Sequence, residues 1–464
     1  MNAIIFSAIW GIIMMFSGVF AKSKATPRWL AIAGMLLLFI VNGLELNNGA
    51  AFFNIDTKDM LRVNSFNLAF LAVAFGCTLL YFLLSGKDIE KVGEHVGEYF
   101  ALIFFVLCGV SIVATYNTLL MLFIGIEILS IPLYILTGSD KRNLKSNEAA
   151  LKYFLMGAFS TGIMLMGIAF IYGANPNASF FINNIDIGVG KLPVMMATGL
   201  VFILISLSFK VSAAPFHFWT PDVYDGAPTV FTSFMATIVK VAGFFAFVRL
   251  FENVFGAVHA QWQTLIVVIT FATLLIGNIT AVFQQSVKRM LAYSSIAQAG
   301  FMLLALFALN DKAKEGLILY SAAYSLATIG IFAILIRMSD YTIEGFNGLG
   351  KTQPVLGITA TIFLLSLTGI PLTAGFQSKF YMLMAAVQNG HHFWLVIAAV
   401  LFAAISAYYY FRVIQAIWFK NPGGDIVIND TDLSASFKIL LVFTAVFIIV
   451  LGIYPELLIQ WLYH

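Results

Sequence analysis

The chain has 464 residues, of which 61% are hydrophobic and only 10% are charged. A soluble domain carries roughly 25% charged residues, so this composition excludes a soluble protein and predicts a polytopic membrane protein. The net charge of +3 is small, and no basic stretch interleaved with aromatic residues points to nucleic acid.

Hydropathy predicts an all-α fold of about fourteen membrane-spanning helices, since apolar runs of roughly 20 residues recur from end to end. The predicted spans are 3–20, 28–43, 66–84, 99–115, 118–138, 148–173, 192–214, 229–251, 262–282, 289–309, 316–338, 354–388, 393–418 and 436–461. The connections between them are short, so we expect no soluble domain.

Two predicted spans contain a residue that interrupts a helix. Pro215 lies in the seventh span and Pro371 in the twelfth, and proline removes a backbone donor and clashes with the preceding turn. The segment 354–388 would be roughly 50 Å long as one straight helix, against a hydrocarbon core of about 30 Å. We therefore predict a broken helix at each proline.

Paired interrupted helices are typical of a transport site at the interface between two repeats. Spans four to eight (99–251) contain a break in fourth place, and spans nine to thirteen (262–420) do so again. Because five is odd, the two units are expected to have opposite orientations. The first three helices (1–98) and the last helix (434–464) flank these repeats.

The distribution of basic residues predicts the orientation in the membrane. Most of the 25 lysines and arginines lie in odd-numbered connections, Lys22 among them, and fewer lie in even-numbered ones, for example Lys191. Cytoplasmic connections carry an excess of positive charge. The odd connections are therefore expected to be cytoplasmic, with both termini on the outer side.

Four ionisable residues lie inside predicted spans: Glu127, Lys210, Lys240 and Lys379. Insertion of a charge at the centre of a bilayer costs about 2.5–3.5 kcal/mol. Glu127 and Lys240 are near the middle of their spans, too far from the interface for the side chain to reach water. Charges in such positions usually face other protein or a water-filled cavity and mark a functional pathway.

The chemistry that these residues allow is a proton relay. Burial disfavours the charged form of a lysine and a nearby carboxylate favours it, so movement of one partner could load or unload a proton. Protons would pass through water admitted at the helix breaks. A static Glu127–Lys210 pair that only fixes the packing of helices is the alternative.

Several polar side chains could assist such a relay. Ser294, Gln298 and Tyr324 lie in otherwise apolar spans, where hydrogen bonding between helices is the simpler explanation of each one. His217 follows the first break and titrates near neutrality. It either carries protons towards the cytoplasm or caps the broken backbone.

Two aspartates and the two cysteines are expected to have structural rather than chemical roles. Asp222 and Asp225 lie in a turn rich in proline and glycine, which they are expected to order. Cys77 and Cys108 lie inside apolar segments without the spacing of metal ligands. We expect no metal site in this chain.

One stretch closely resembles the signature of the subunit N family of the proton-pumping NADH:quinone oxidoreductase, respiratory complex I: Phe216-His-Phe-Trp-Thr-Pro-Asp-Val-Tyr-Asp-Gly-Ala-Pro-Thr229. Residues 148–160 and 288–300 support the resemblance, which extends over essentially the whole chain. The sibling subunits L and M and related sodium/proton antiporters usually have a different sequence at this stretch.

The resemblance implies fourteen helices with two inverted five-helix units, each containing a broken helix. By matching position, Glu127 and Lys210 would form the coupling pair, Lys240 the central relay and Lys379 the relay on the exit side. Relatives often carry histidine where this chain has Gln298. Because glutamine does not titrate, protons would have to pass this position through water.

The resemblance also implies a non-redox subunit of a translocase in a bacterial inner membrane. Quinone, FMN and iron–sulfur clusters would belong to partner subunits, since this chain has no cysteine cluster and no Gly-x-Gly-x-x-Gly after a strand. Partners would include sibling antiporter-like subunits. Two alternatives stay open: a cation/proton antiporter of related fold, and a purely structural membrane subunit.

Overall fold

The computed structural model describes residues 1–20, 23–53, 55–187, 192–422 and 433–463. Lys22 and Lys191, used above to predict the orientation, lie outside these ranges, as does His464. Within the described ranges every regular element is helical, and only isolated β-bridges occur between loops. The all-α prediction is confirmed.

The α-helices of the described residues are α1 (Asn2–Phe20), α2 (Ala25–Asn48), α3 (Ser65–Val92), α4 (Val96–Thr115), α5 (Leu119–Thr137), α6 (Leu144–Ala174), α7 (Val194–Lys210), α8 (Trp219–Gly226), α9 (Thr229–Phe234), α10 (Lys240–Phe255), α11 (His259–Val282), α12 (Val287–Ala308), α13 (Asp311–Leu335), α14 (Leu349–Thr352), α15 (Pro354–Thr368), α16 (Ala374–Gln388), α17 (Phe393–Phe419), α18 (Ala435–Ile453) and α19 (Glu456–Ile459).

The described helices have the length and composition of a membrane protein. Eleven helical stretches are long and apolar enough to cross a bilayer, and Val194–Lys210 and Pro354–Thr368 are shorter apolar helices. One of the eleven, Thr229–Val282, is 54 residues long and contains both α9–α10 and α11. The chain is therefore an integral membrane protein, as the composition predicts.

The first helix break begins earlier than the sequence suggests. Helix α7 ends at Lys210, and the chain stays irregular past Pro215 until α8 begins at Trp219. The Trp219 indole donates to the Phe209 carbonyl (3.0 Å), and Thr220 donates to Ser212 (2.7 Å). These contacts satisfy the exposed helix end, so Lys210, rather than a residue near Pro215, is the last of its helix.

The second break separates α15 from α16. Gly369 has φ +88° and Leu372 has φ +73°, which takes the backbone out of the helical region on either side of Pro371. Helix α16 starts again with Thr373 as its N-cap, whose side chain accepts from the Phe376 amide. The 50 Å segment is thus divided into two short helices.

Two other helices differ from the predicted spans. Helix α3 runs to Val92 rather than to position 84, because Asp88 in the extra turns is buried in an ion pair with Arg337 (3.3 Å). Helix α18 ends at Ile453 rather than at 461. Pro455 accounts for that end, since the residue before a proline disfavours the helical conformation.

The most deeply buried helices form the centre of the molecule. Helices α12 and α13 have almost no exposed surface in the described structure. Helix α13 packs on α3, α12, α15, α16 and α18, and α12 also contacts α8, α10 and α17. Polar side chains on α12 and α13 are therefore screened from lipid and can only meet other parts of the protein.

Candidate functional site

Glu127 and Lys210 approach each other near the end of α7. Lys210 Nζ donates to the hydroxyl of Ser130 (2.9 Å), which lies one turn from Glu127 on α5. Glu127 is near enough to act on Lys210 electrostatically. The structure describes both residues and records no direct ion pair between them, and the buried Glu127 Oε1 has no hydrogen-bond partner among the described residues. The described structure therefore shows the Lys210 amine bound to Ser130 on α5 rather than paired directly with Glu127.

The position of Lys210 at the end of a helix also lowers the free-energy cost of burying its charge. It is the last residue of α7, where the unpaired carbonyls give a helix a partial negative charge. The same partial charge arises wherever a membrane helix stops inside the protein. A helix break therefore lowers the cost of keeping a lysine away from water.

Lys240 follows a local change in helix geometry that the sequence does not signal. Residues Met235–Val239 form a π-helical turn between α9 and α10, and Lys240 comes directly after it. Such turns are frequent at functional sites. The inserted residue offsets the side chains that follow from a regular helix, and Lys240 lies fully buried, facing α12.

The amine of Lys240 has polar partners but no counter-charge. Nζ donates to the hydroxyl (2.9 Å) and the carbonyl (3.0 Å) of Ser295, and it lies 5.7 Å from the centre of the Tyr224 ring. No carboxylate pairs with it in the part of the chain that the structure describes. A lysine without a counter-ion can give up its proton at lower cost than a paired one.

Lys379 lies across the second break, over the end of the helix that precedes it. Its Nζ donates to the carbonyls of Leu367 (2.9 Å) and Thr368 (2.8 Å), and lies 4.7 Å from the centre of the Phe301 ring. These carbonyls belong to the last turn of α15, which has no intrahelical donor. The Lys379 amine is thus stabilised by the carboxyl end of α15.

Gln298 joins the Lys379 station to α13 and α17. Its amide Nε2 donates to the Leu367 carbonyl (2.9 Å), which also accepts from Lys379, and to the Tyr410 hydroxyl (3.2 Å). The Tyr320 hydroxyl donates to Gln298 Oε1. Gln298, which does not titrate, and Lys379 therefore donate to the same carbonyl acceptor.

Polar groups on α12 lie between Lys240 and Lys379. Ser295, the partner of Lys240, precedes Gln298 by one turn of α12, and Gln298 meets Lys379 at Leu367. Ser294 shares a short hydrogen bond with Tyr410 on the same side of α12. Helix α12 therefore carries the polar groups between the two buried lysines.

A small cavity adjoins this set of contacts. It is lined by Gln298, Tyr320, Tyr324, Ser378 and Lys379 among others, and holds about 10 Å³ for the centres of water molecules. That is about the minimum for one water. The buried Tyr324 hydroxyl has no hydrogen-bond partner among the described residues, so the cavity offers water both a donor and acceptors.

Lys210 and Lys240 are less directly connected. No side-chain hydrogen bond links them within the described chain. The hydroxyls of Ser208 and Ser233, on α7 and α9, are buried without a partner there. Transfer between these two lysines would need water or movement.

His217 lies apart from the other candidates. It is buried in the irregular segment after α7, with its ring 4.5 Å from that of Phe218 and with Nδ1 lacking a partner among the described residues. No recorded contact joins it to a lysine of the series. The geometry therefore leaves both expectations for His217 open.

Charged residues beside α8 form a separate network at the surface. Asp222 lies 3.0 Å from Lys152 and 3.2 Å from Arg289. Burial raises the pKa of Asp222, but Lys152 and then Arg289 outweigh this and hold the pKa below its usual value. The stabilisation is present above the ordinary aspartate pKa and is lost as pH falls through the lowered one. Asp222 and Asp225 lie in α8 rather than in the turn predicted from the sequence, and this network ties α8 to α6 and α12.

Sequence reasoning missed several partners of the candidate residues. Ser130 could have been found, since it lies three residues from Glu127 on one helix. Tyr410 could not, because it comes from α17, 112 residues beyond Gln298. Lys288 was also missed: it is buried and donates to the carbonyls of Asp225 and Ala227, which anchors the end of α8.

Buried lysines on interrupted helices, in a bundle of spanning helices, define the class of antiporter-like membrane proteins. A family model described as NADH:quinone oxidoreductase/Mrp antiporter, TM, matches residues 117–406. The chain is 38% identical to NADH-quinone oxidoreductase subunit N of Cytophaga hutchinsonii, over 99% of both chains. The chain belongs to this subunit N family.

Solved structures agree with this assignment. A chain of respiratory complex I from Thermus thermophilus with bound aureothin has a TM-score of 0.84 and 30% identity, covering 99% of this chain and 98% of that one. A chain of the Mrp complex from a Dietzia species has a TM-score of 0.86 at 18% identity, covering 99% and 95%. At 18% identity, the similarity to the Mrp chain shows only that the two chains share a fold.

Proposed function

We propose that this chain is a membrane-arm subunit of an NADH:quinone oxidoreductase and translocates protons through its buried glutamate and lysines. The observation that carries the proposal is the row of polar groups on α12, where Ser295 binds Lys240 and Gln298 shares the Leu367 carbonyl with Lys379. Lysines held by hydroxyls and backbone carbonyls can alternate between charged and neutral forms without losing a fixed ion pair.

The relatives indicate where the driving reaction takes place. Relatives across nearly the whole chain are named NADH-quinone oxidoreductase subunit N, and the structural neighbours come from complexes with many subunits. We propose that sibling antiporter-like subunits adjoin this chain. Quinone reduction, with FMN and iron–sulfur clusters, takes place in other subunits, and this chain contributes the non-redox step of the translocase.

The proposed architecture has fourteen membrane crossings. Counting Thr229–Val282 as two crossings, and adding α7 and the broken pair α15–α16 to the other long helices, gives this number. The breaks after α7 and after α15 support two units, 99–251 and 262–420, of inverted orientation. Residues 1–98 and 434–464 would flank them.

The proposed orientation puts the surface beside α8 in the cytoplasm. Lys145, Lys152 and Arg289 lie together there, as expected for the side with more positive charge. Both termini and the start of α13 would then face the outer, periplasmic side of a bacterial inner membrane.

Each candidate residue has a proposed part in the relay. Glu127 and Lys210 act as the coupling pair, because Ser130 holds the amine near the carboxylate. Lys240 is the central station and Lys379 the station nearest the outer side. Ser294, Gln298 and Tyr324 orient the groups or water between the last two, and His217 is an auxiliary group near the first break.

The fold of the Mrp chain supports a second candidate, a cation/proton antiporter subunit. Purification in mild detergent separates the two functions. Under the first proposal the chain comes with flavin- and iron–sulfur-containing subunits. Recovery in a stable complex without any redox subunit would favour the antiporter.

Replacement of Glu127 by glutamine tests the coupling pair. The change removes the charge that acts on Lys210 but keeps the size of the side chain, so we expect proton translocation to fall severalfold while the complex assembles. Acidification of reconstituted vesicles measures the effect. Glu148→Gln, an exposed carboxylate on α6 paired with Lys152, is the matched control and should pump normally. Equal pumping by Glu127→Gln would exclude a coupling role.

A further inference from the structure

Another buried carboxylate, Glu315, lies near the start of α13, on the proposed outer side. Glu315 is 7% exposed, accepts from Lys312 Nζ (2.6 Å), and accepts a short hydrogen bond from the Tyr463 hydroxyl. Asp311, Tyr381 and Glu456 are the other titratable groups that act on this cluster. A carboxylate so deeply buried at the edge of a membrane protein is unusual unless it is paired or functional.

Glu315 lines an open polar cavity of about 380 Å³, large enough to hold many waters. The opposite wall includes Arg249, Glu252 and Asn67. The Asn67 side chain is fully buried, and its Oδ1 has no hydrogen-bond partner among the described residues. Because the cavity is open and lined by polar groups, water fills it and reaches Glu315.

Helix α13 connects this cavity with the Lys379 station. Tyr320 lines the small cavity beside Lys379 and lies five residues from Glu315, an axial rise of about 7.5 Å. On α16, Tyr381 follows Lys379 by two residues and lies under the Lys312 amine, 5.3 Å from Nζ to the ring centre. Helices α13 and α16 pack against each other, so a proton would pass from Lys379 to Glu315 through water between these two helices.

We propose that Glu315 is the group that takes protons from Lys379 and releases them to the outer side. This inference rests on the proposed function. The Lys379 ammonium loses its proton, through Tyr320 and water, to the Glu315 carboxylate, which leaves a neutral amine and a carboxylic acid. The acid then releases the proton to the cavity, and Lys312 favours this step because it stabilises the carboxylate.

Glu315→Gln in the intact complex tests the proposal. We expect proton translocation in reconstituted vesicles to fall roughly tenfold, less than for a fully enclosed relay group because bulk water lies next to this one. Asp56→Asn is the control, since this exposed carboxylate lies in a connection that does not line the cavity; it should pump normally. Normal pumping by Glu315→Gln overturns the proposal.

Two further variants separate release of protons from a structural role. Tyr463→Phe removes the hydrogen bond to Glu315 but keeps the carboxylate, so it should pump faster than Glu315→Gln; a loss equal to that of Glu315→Gln would make the contact structural and overturn the proposal. If Glu315→Gln does not assemble, Glu315→His decides: pumping should then vary with outer pH near the imidazole range of about 6.5. A rate independent of outer pH in that range overturns the proposal.

Lys379→Met, measured in parallel, shows whether the relay as a whole or only the release role of Glu315 is wrong. Loss of pumping in this variant beside normal pumping in Glu315→Gln means that the relay exists and the release group is a different one. Normal pumping in both overturns the relay itself, and with it the role of Glu315. Loss in both, with a normal Asp56→Asn, supports the complete route.

Discussion

Replacement of Lys240 by methionine is expected to reduce proton translocation by roughly a hundredfold, the low end of what a positioned proton-transfer side chain contributes. Methionine has a similar length and adapts to buried sites, so the complex should still assemble. Only the titrating amine and its bonds to Ser295 are lost. The rate of acidification in vesicles, normalised to the amount of assembled complex, measures the effect.

Lys240→Arg distinguishes a relay from a fixed charge. Arginine keeps the positive charge but cannot release its proton in a protein. A relay therefore predicts that Lys240→Arg is impaired about as strongly as Lys240→Met. Normal pumping by the arginine variant would mean that only the charge is needed, as in a purely structural subunit.

Gly375→Ala is expected to have the largest effect on stability. A Cβ at this position would lie 1.8 Å from the carbonyl oxygen of Ser366, a backbone atom of α15 that a side chain cannot displace. Overpacking costs about 1–3 kcal/mol and occasionally more, and here the helices on either side of the second break would have to separate. We expect a cost at or above about 3 kcal/mol, poor assembly and a lower Tm of the purified complex.

Gly162→Ala is the control for this change. Gly162 lies in α6, where an added Cβ meets nothing within 4 Å. Alanine is favoured over glycine inside a helix by about 0.5–1 kcal/mol, so this variant should be as stable as the natural chain or slightly more so. If Gly375→Ala assembles and melts like Gly162→Ala, the junction of α15 and α16 is less closely packed than described.

The main features of the site follow from the sequence because each depends on a local rule. A charge in an apolar run is visible without a structure, and its cost in lipid implies a polar surrounding. A proline in such a run implies a break. Lys240 and Lys379 could therefore be selected as buried and polar-facing before any contact was known.

The partners of these residues could not be derived in the same way. The acceptors of Lys379 are the backbone carbonyls of Leu367 and Thr368, and every residue has a carbonyl, so side-chain chemistry gives no signal. Nothing in the composition of 235–239 signals the π-helical turn before Lys240. The position of the first break depends on the Trp219 indole, which reaches back ten residues to Phe209.

The claim on which the account depends is that buried lysines carry protons across this chain. The most direct test is the number of protons moved for each NADH oxidised by vesicles that contain the complex with Lys379→Met, compared with the unchanged complex. We predict fewer protons for each NADH, or loss of NADH oxidation and pumping together, in a fully assembled complex. An unchanged ratio at an unchanged rate would contradict the relay.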